Sequence, residues 1–204
     1  MQQPSLAPLE TPTGLPEGAF PLSAAQRGIW FAQHIAGDTP ISIAQYVELR
    51  GPIELELLAR AARQAGREFG TGYLRLVEVA GQPFQFVDPT LDDNLITLDL
   101  RGEPDPEAAA HAWMRAEYNA PLELTRDRLV RVVMLRLAED RWYWYSRIHH
   151  IVLDGMGALT MVQRTGELYN AALAGEGKPP AQGRGMGHLL GARNRIPTTG
   201  RFGG

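Results

Sequence analysis

The stretch that decides the fold is LVRVVMLRLAEDRWYWYSRIHH, residues 129–150. It holds two runs rich in β-branched and aromatic residues, LVRVVMLRLA and RWYWYSRI, with the polar pair Glu139-Asp140 between them. This pattern predicts two strands joined as an antiparallel hairpin. The aromatic residues Trp142 to Tyr145 are expected in or near the core and not in a base-stacking platform, because alternating aromatic residues of a strand pack on both faces of a sheet.

On either side of this hairpin, helical and strand patterns follow one another. Ser23 and Gln26 form a capping-box pattern that predicts a helix over residues 24–36, closed by Gly37. The other predicted elements are a strand at 41–50, a helix at 54–69, two short strands around Gly81-Gln82, a strand at 95–100, a helix from Asp105-Pro106 to Asn119, and a last helix with Leu159, Val162, Tyr169 and Leu173. The predicted fold is an α/β (α+β) sandwich in which helices pack against a mixed, mainly antiparallel sheet.

The composition is that of a folded protein with atypical ends. The 204 residues, of which 44% are hydrophobic and 21% charged, suffice for one globular domain. Residues 1–19 are predicted to be a Pro/Gly-rich lead-in, and residues 20–176 a folded lobe. Residues 177–204 are rich in glycine and arginine and are predicted to be disordered.

Charge, cysteine content and hydropathy exclude several functions. Up to Glu176 the chain has 15 basic and 23 acidic side chains, which argues against a nucleic acid as the main partner. Cysteine is absent, so a disulfide framework, a thiolate zinc site and a cysteine nucleophile are excluded. No apolar run reaches the roughly 18 residues that a membrane helix needs, and the first residues lack the features of a signal peptide. These observations predict no membrane partner and a cytoplasmic location.

Two adjacent histidines end the second strand of the predicted hairpin. His149 and His150 are followed by Asp154 and Gly155 at the start of the last helix. A histidine at this point is held by the strand and open to a substrate on the loop side, and its ordinary pKa near neutrality suits a general base. Because neighbouring residues of a strand face opposite sides, one histidine is expected to be the catalyst and the other to support it.

A structural interpretation of the same residues stays open at this point. A histidine at a strand end is commonly a hydrogen-bonded core residue, and an aspartate before a helix is most simply its N-cap. A zinc site is not predicted, since His149, His150 and Asp154 supply too few ligands. The remaining histidines are scattered along the chain at His34, His111 and His188.

Two ordered motifs resemble those of a known family. His149 to Gly155 resembles the HHxxxDG signature of nonribosomal peptide synthetase condensation domains, and Ser23 to Trp30 resembles their SxAQxRxW motif. The segments YVELRG, LLARAAR and DRWYWYSRIHH further resemble condensation domains of siderophore-type synthetases, over residues 20–176. The resemblance implies one lobe of the chloramphenicol acetyltransferase-like fold and a role in amide-bond formation.

The family resemblance also implies a mechanism, in which the amine of a carrier-bound aminoacyl acceptor attacks the thioester of a carrier-bound acyl donor. It makes His150 the catalytic residue beside that amine and His149 its support. It implies that Asp154 holds the loop through an ion pair with an arginine, and that Gly155 lets the backbone turn close to the substrate. The implied partners are donor and acceptor peptidyl carrier proteins or domains, which bring their own phosphopantetheine, so the chain is expected to bind no cofactor or metal.

The chain also departs from the family pattern. Tyr73 stands where the family's second motif, RHExLRTxF, has an arginine, and Met156 stands where a bulky aromatic residue is usual. The remaining candidates for the arginine partner of Asp154 are Arg75, Arg147 and Arg27. Family members have two lobes with the active site between them. The chain is therefore expected to be a truncated domain, for which a missing C-terminal lobe is a further partner.

Two other functions remain as alternatives. The chain is either catalytic or a non-catalytic fragment that binds a carrier protein or a partner lobe. Since His149 and Asp154 also satisfy an HxxxxD pattern, a glycerolipid acyltransferase is the second alternative. The missing membrane segment and the SAAQRGIW motif argue against it.

Overall fold

The structure, a computed structural model, describes residues 14–91 and 95–175. Most of the lead-in and the whole tail, residues 177–204, lie outside the described residues, so their predicted disorder stays a prediction. The strands are β1 (Phe20–Pro21), β2 (Ser42–Arg50), β3 (Leu74–Val79), β4 (Gln82–Val87), β5 (Ile96–Asp99), β6 (Val130–Ala138) and β7 (Arg141–His149). The α-helices are α1 (Ala24–Ala36), α2 (Leu55–Phe69), α3 (Pro106–Asn119) and α4 (Gly155–Gly175).

The hairpin at residues 129–150 forms as predicted and lies at the centre of the larger sheet. This sheet has the order β2-β7-β6-β5. β7 is antiparallel to both β2 and β6, whereas β5 runs parallel to β6. The predicted mixed, mainly antiparallel sheet is therefore confirmed.

A second sheet, of order β1-β4-β3, stands apart from the first. The sequence predicted β3 and β4 but neither β1 nor the separation of this sheet from the larger one, because strand pairing over long sequence distances leaves no local pattern. Its hairpin turns at Ala80 and Gly81, both with positive φ, one residue earlier than predicted. Two positive φ angles suit a tight turn between antiparallel strands.

The aromatic residues of β7 build the core on both faces of the larger sheet. Tyr143 and Tyr145 pack in the layer beneath α3, together with Met114. Trp142 and Trp144 pack on the opposite face with residues of α2 and α4. All four β7 aromatic residues are at most 5% exposed, which confirms that they are core residues.

The N-terminal helix α1 forms with the predicted capping box. The Ser23 hydroxyl accepts from the Gln26 N–H, and the Ser23 N–H donates to Gln26 Oε1. Gly37 ends the helix with a φ of 60°. Trp30 of α1 packs in an apolar cluster that also contains Ile151, just beyond β7. The fold thus brings α1 against the end of β7, where the two histidines lie.

Candidate active site

The side chain of His149 is fully buried. Its side chain is 0% exposed, Nδ1 accepts from the Ile151 N–H at 3.2 Å, and Nε2 lies 3.0 Å from Gln33 Oε1. Because Nδ1 is an acceptor, the neutral ring carries its proton on Nε2 and donates to Gln33. Burial, with smaller electrostatic contributions from His150 and Arg147, lowers the pKa of His149 to about 4. His149 is therefore a neutral, fully bonded residue near pH 7.

This buried histidine should make stability depend on pH. Below pH 7 the unfolded chain binds a proton at His149, whose ordinary pKa is about 6.5, whereas the folded chain does not bind it until the pH approaches 4. We expect the free energy of unfolding to fall by about 2 kcal/mol as the pH decreases from 7 to 5. Urea unfolding of the wild type and of His149→Gln, which cannot titrate, measures this. An equal pH dependence in both proteins would contradict the expectation.

His150 has a different environment from His149. Its backbone N–H donates to Ile41 O at 2.9 Å, and its side chain is partly exposed. Within the described ranges, its imidazole has no hydrogen-bond partner. His150 lies in the turn that follows β7, which ends at His149. One histidine is thus enclosed and the other is partly exposed, and the predicted division of roles between them stays a prediction.

Asp154 does not form the expected ion pair with any described arginine. Its Oδ1 accepts from the Gly157 N–H at 2.7 Å, and the residue is exposed. This is an N-cap of α4, the simpler of the two interpretations that the sequence allowed. The candidate arginines bind elsewhere: Arg75 to Asp88, Arg147 to Glu117, and Arg27 to Leu22 O.

A capping role predicts modest effects of substitution. Asparagine caps a helix about as well as aspartate, so Asp154→Asn should leave stability within about 0.5 kcal/mol of the wild type, whereas Asp154→Ala should lower it by about 1 kcal/mol. Chemical denaturation of both variants measures the difference. A loss of about 3 to 5 kcal/mol in Asp154→Asn would instead indicate a buried ion pair.

Gly155 has a backbone conformation that does not itself require glycine. It is the first residue of α4, its φ is not positive, and a Cβ there would only touch Ile43 Cδ1 at 4.0 Å. The more crowded position is Gly157, where a Cβ would lie 2.8 Å from Leu153 Cδ2, so that this leucine side chain would have to move. The chain thus enters the helix at Gly155, and the expected close approach of its backbone to a substrate stays a prediction.

Arg147 and Glu117 form a buried pair that the sequence did not reveal. Arg147 Nη2 lies 3.3 Å from Glu117 Oε1, with side chains 7% and 11% exposed, and Arg147 Nη1 donates to Glu117 O. Tyr145 OH also donates to this carboxylate, and burial raises the pKa of Tyr145 above its ordinary value. Arg131 Nε lies 3.3 Å from the same carboxylate. These contacts tie α3 to β7 two residues before His149.

Two glutamines of α1 contact the histidine loop: Gln26, which the sequence indicated only as a capping residue within a family motif, and Gln33, which sequence reasoning did not single out. Gln33 is 5% exposed and contacts His149, whereas Gln26 donates to Ile151 O at 3.1 Å. The sequence did contain one indication of a buried glutamine, because a polar residue on the same helix face as Trp30 occupies a core position.

Tyr73, at the position of the missing family arginine, packs against α2 and donates to Arg63 O at 3.2 Å.

A cavity of about 220 Å³ lies between α2, α4 and the larger sheet, and its lining includes Tyr73, Trp144, Ser146 and Met161. None of His150, Asp154 and Gly155 lines it, so this cavity is separate from the histidine loop.

In the part of the chain that the structure describes, no three histidine, aspartate or glutamate residues are grouped as metal ligands would be. No helix in that part is both long and apolar enough to span a bilayer.

Comparison with curated proteins identifies a common family among the relatives. A family model for the condensation domain matches residues 16–184. The dimodular nonribosomal peptide synthase of Bacillus subtilis (strain 168) is 36% identical over 171 residues, which are 83% of this chain and 7% of that protein. Enterobactin synthase component F of Shigella flexneri is 37% identical over 164 residues, which are 78% of this chain and 13% of that protein.

Solved structures agree with this family. The starter condensation domain of the rhizomide synthetase matches with a TM-score of 0.70 and 37% identity, covering 82% of this chain and 42% of that one. A variant of that domain was solved in complex with C8-CoA and Leu-SNAC. The first condensation domain of the calcium-dependent antibiotic synthetase matches with a TM-score of 0.67 and 28% identity, covering 85% of this chain and 42% of that one. The chain thus spans less than half of the solved domains.

Proposed function

Because this chain belongs to the condensation-domain family, we propose that it is the histidine-bearing lobe of a domain that forms amide bonds in nonribosomal peptide synthesis. The observation that carries the proposal is the contrast within the histidine pair. His149 uses both ring nitrogens inside the protein, whereas the partly exposed ring of His150 has no hydrogen-bond partner among the described residues. Only His150 is free to meet a substrate.

The proposed reaction transfers an acyl group from sulfur to nitrogen. The acceptor amine attacks the thioester carbonyl, the new C–N bond forms, and the C–S bond breaks. The amine loses a proton, which His150 accepts or directs, and the departing thiolate ends as a thiol. An imidazole is suited to this role because its ordinary pKa lies near neutrality. Asp154 does not take part as a nucleophile, since its carboxylate caps α4.

The proposed partners are donor and acceptor carrier proteins or domains, each with a phosphopantetheine arm. Support comes from the related starter condensation domain that was solved with C8-CoA and Leu-SNAC, both of which present an acyl group as a thioester. The phosphopantetheine belongs to the carriers, and we propose no cofactor held by this chain. Siderophore assembly stays a prediction, because isonitrile lipopeptide synthase of Streptomyces coeruleorubidus, at 37% identity, is as similar as enterobactin synthase component F.

Substitution of His150 tests the proposed function. In a two-lobed condensation domain that carries this lobe, His150→Ala should slow amide formation by roughly 100-fold or more, the effect expected of a positioned acid-base group. The rate is measured in single turnovers with loaded donor and acceptor carriers. The matched control is His111→Ala, which removes an imidazole from α3 and should leave the rate within about twofold of the wild type. An unchanged rate in His150→Ala would rule out the assignment.

A second candidate is that the lobe serves to bind a partner lobe. It is favoured by large apolar side chains exposed on the two helices that flank the histidine loop: Phe31 and Ile35 on α1 and Met156 on α4, which are 61%, 88% and 71% exposed. The glycerolipid acyltransferase alternative is not favoured. Its HxxxxD histidine would be His149, which is 0% exposed and cannot contact a substrate.

A further inference from the structure

We propose that Gln26 and Gln33, two turns apart on α1, position His150 by holding the chain on both sides of it. The inference rests on the proposed function of His150 and adds two positioning residues to it. Seven residues of an α-helix span about 10.5 Å and return to nearly the same face, so both amides face the histidine loop. Neither glutamine is expected to touch the substrate.

Gln33 binds the segment that precedes His150. Its Oε1 accepts from His149 Nε2 at 3.0 Å and from the Ile41 N–H at 2.8 Å. Its Nε2 donates to Gly37 O at 2.8 Å and to Thr39 O at 3.1 Å. The amide therefore uses two donors and two acceptors, which is its full capacity. Its orientation is determined, because a reversed amide would set its NH₂ group against the Ile41 N–H.

Gln26 binds the segment that follows His150. Its Nε2 donates to Ile151 O at 3.1 Å and to Gln85 Oε1 at 2.8 Å. Its Oε1 accepts from Gln85 Nε2 at 2.9 Å and from the Ser23 N–H at 2.9 Å. Gln85 is only 4% exposed, so this second amide is also anchored in the interior. All four hydrogen-bonding positions of Gln26 are again filled.

These bonds fix the backbone at His150 from three directions. The His150 N–H donates to Ile41 O, and the N–H of that same Ile41 donates to Gln33. The preceding residue is held through its imidazole, and Ile151 is held through its carbonyl and through its N–H to His149 Nδ1. A displacement of about 1 Å at a reacting group can cost up to 100-fold in rate. Such bonding is therefore a means of aligning the imidazole with an attacking amine.

The first test uses residues 1–204 labelled with ¹⁵N and ¹³C, without any assay of activity. In the wild type, the imidazole signals should show His149 as the Nε2–H tautomer. In Gln33→Leu, and separately in Gln26→Leu, the His150 ring signals should shift, because the backbone on one side is released. The matched control is Leu173→Ala, which weakens the core away from the histidine loop. Unchanged His150 signals in both glutamine variants, or shifts of equal size in the control, would overturn the proposal.

The second test measures rates in a two-lobed domain that carries this lobe. Gln26→Leu and Gln33→Leu should lower kcat by roughly 10- to 100-fold with KM for the loaded carriers within twofold, whereas Leu173→Ala should not. Gln33→Glu keeps both acceptor contacts and should restore part of kcat. If His150→Ala is inactive but the glutamine variants keep full kcat, the positioning role is wrong and the proposed function stands. If the wild-type two-lobed domain makes no amide, the proposed function is wrong. The NMR signals of the His150 ring then still test whether Gln26 and Gln33 hold the backbone around it.

Discussion

Purified residues 1–204 are expected to form no detectable amide from loaded donor and acceptor carriers. The solved relatives are more than twice as long as the matched part of this chain, which covers 42% of the rhizomide synthetase domain. Within the part of the chain that the structure describes, the side chain of His150 is partly exposed, and no second lobe lies opposite it to align amine and thioester. Proximity and orientation supply up to about 7 to 11 kcal/mol in well-organised sites, so the loss of alignment removes most of the rate.

The same experiment includes a test of association. The exposed side chains of Phe31 and Ile35 should drive self-association of the lobe, because contiguous apolar surface is rarely left open to water. Phe31→Ser with Ile35→Ser should reduce this association. Val87→Ser, at an apolar side chain on β4 that is 54% exposed, is the matched control and should not. A monodisperse wild-type monomer that forms the amide as fast as a two-lobed domain would contradict the expectation.

Glu117→Gln is expected to lower the free energy of unfolding by about 3 to 5 kcal/mol, because it leaves the buried guanidinium of Arg147 without its counter-charge. Arg131, at 3.3 Å from the same carboxylate, loses its partner as well. Urea unfolding at neutral pH measures the change. Since the pair joins α3 to β7, the amide protons of β7 should also exchange faster with solvent.

Two variants separate this ion pair from general effects of charge. Glu103→Gln removes a carboxylate from an exposed position and should change stability by no more than about 0.5 kcal/mol. The double variant Glu117→Leu with Arg147→Met removes both charges together and should cost less than Glu117→Gln alone, because no buried charge is left unpaired. A loss below about 1 kcal/mol in Glu117→Gln would mean that the pair contributes no more than a surface ion pair.

The family assignment shows how much two local sequence motifs can predict. The two motifs implied a chloramphenicol acetyltransferase-like lobe of a condensation domain, and the match to solved condensation domains confirms it. The roles of His150 and its supporting residues stay proposals. Within the motif, the position of Asp154 before a helix already indicated an N-cap, whereas the arginine partner carried over from the family is not found among the described residues.

The sequence by itself determined the elements whose causes are local. The alternation in β6 and β7 set the hairpin and both core layers, and the Ser23 capping box set the start of α1, because these signals lie within a few residues of each other. Only the tertiary structure decided the partners of the buried polar groups. Gln33 and His149 are 116 positions apart, and Arg147 and Glu117 are 30 apart. A buried polar group must be satisfied, but any element that packs against it can supply the partner, so the packing and not the spacing makes the choice.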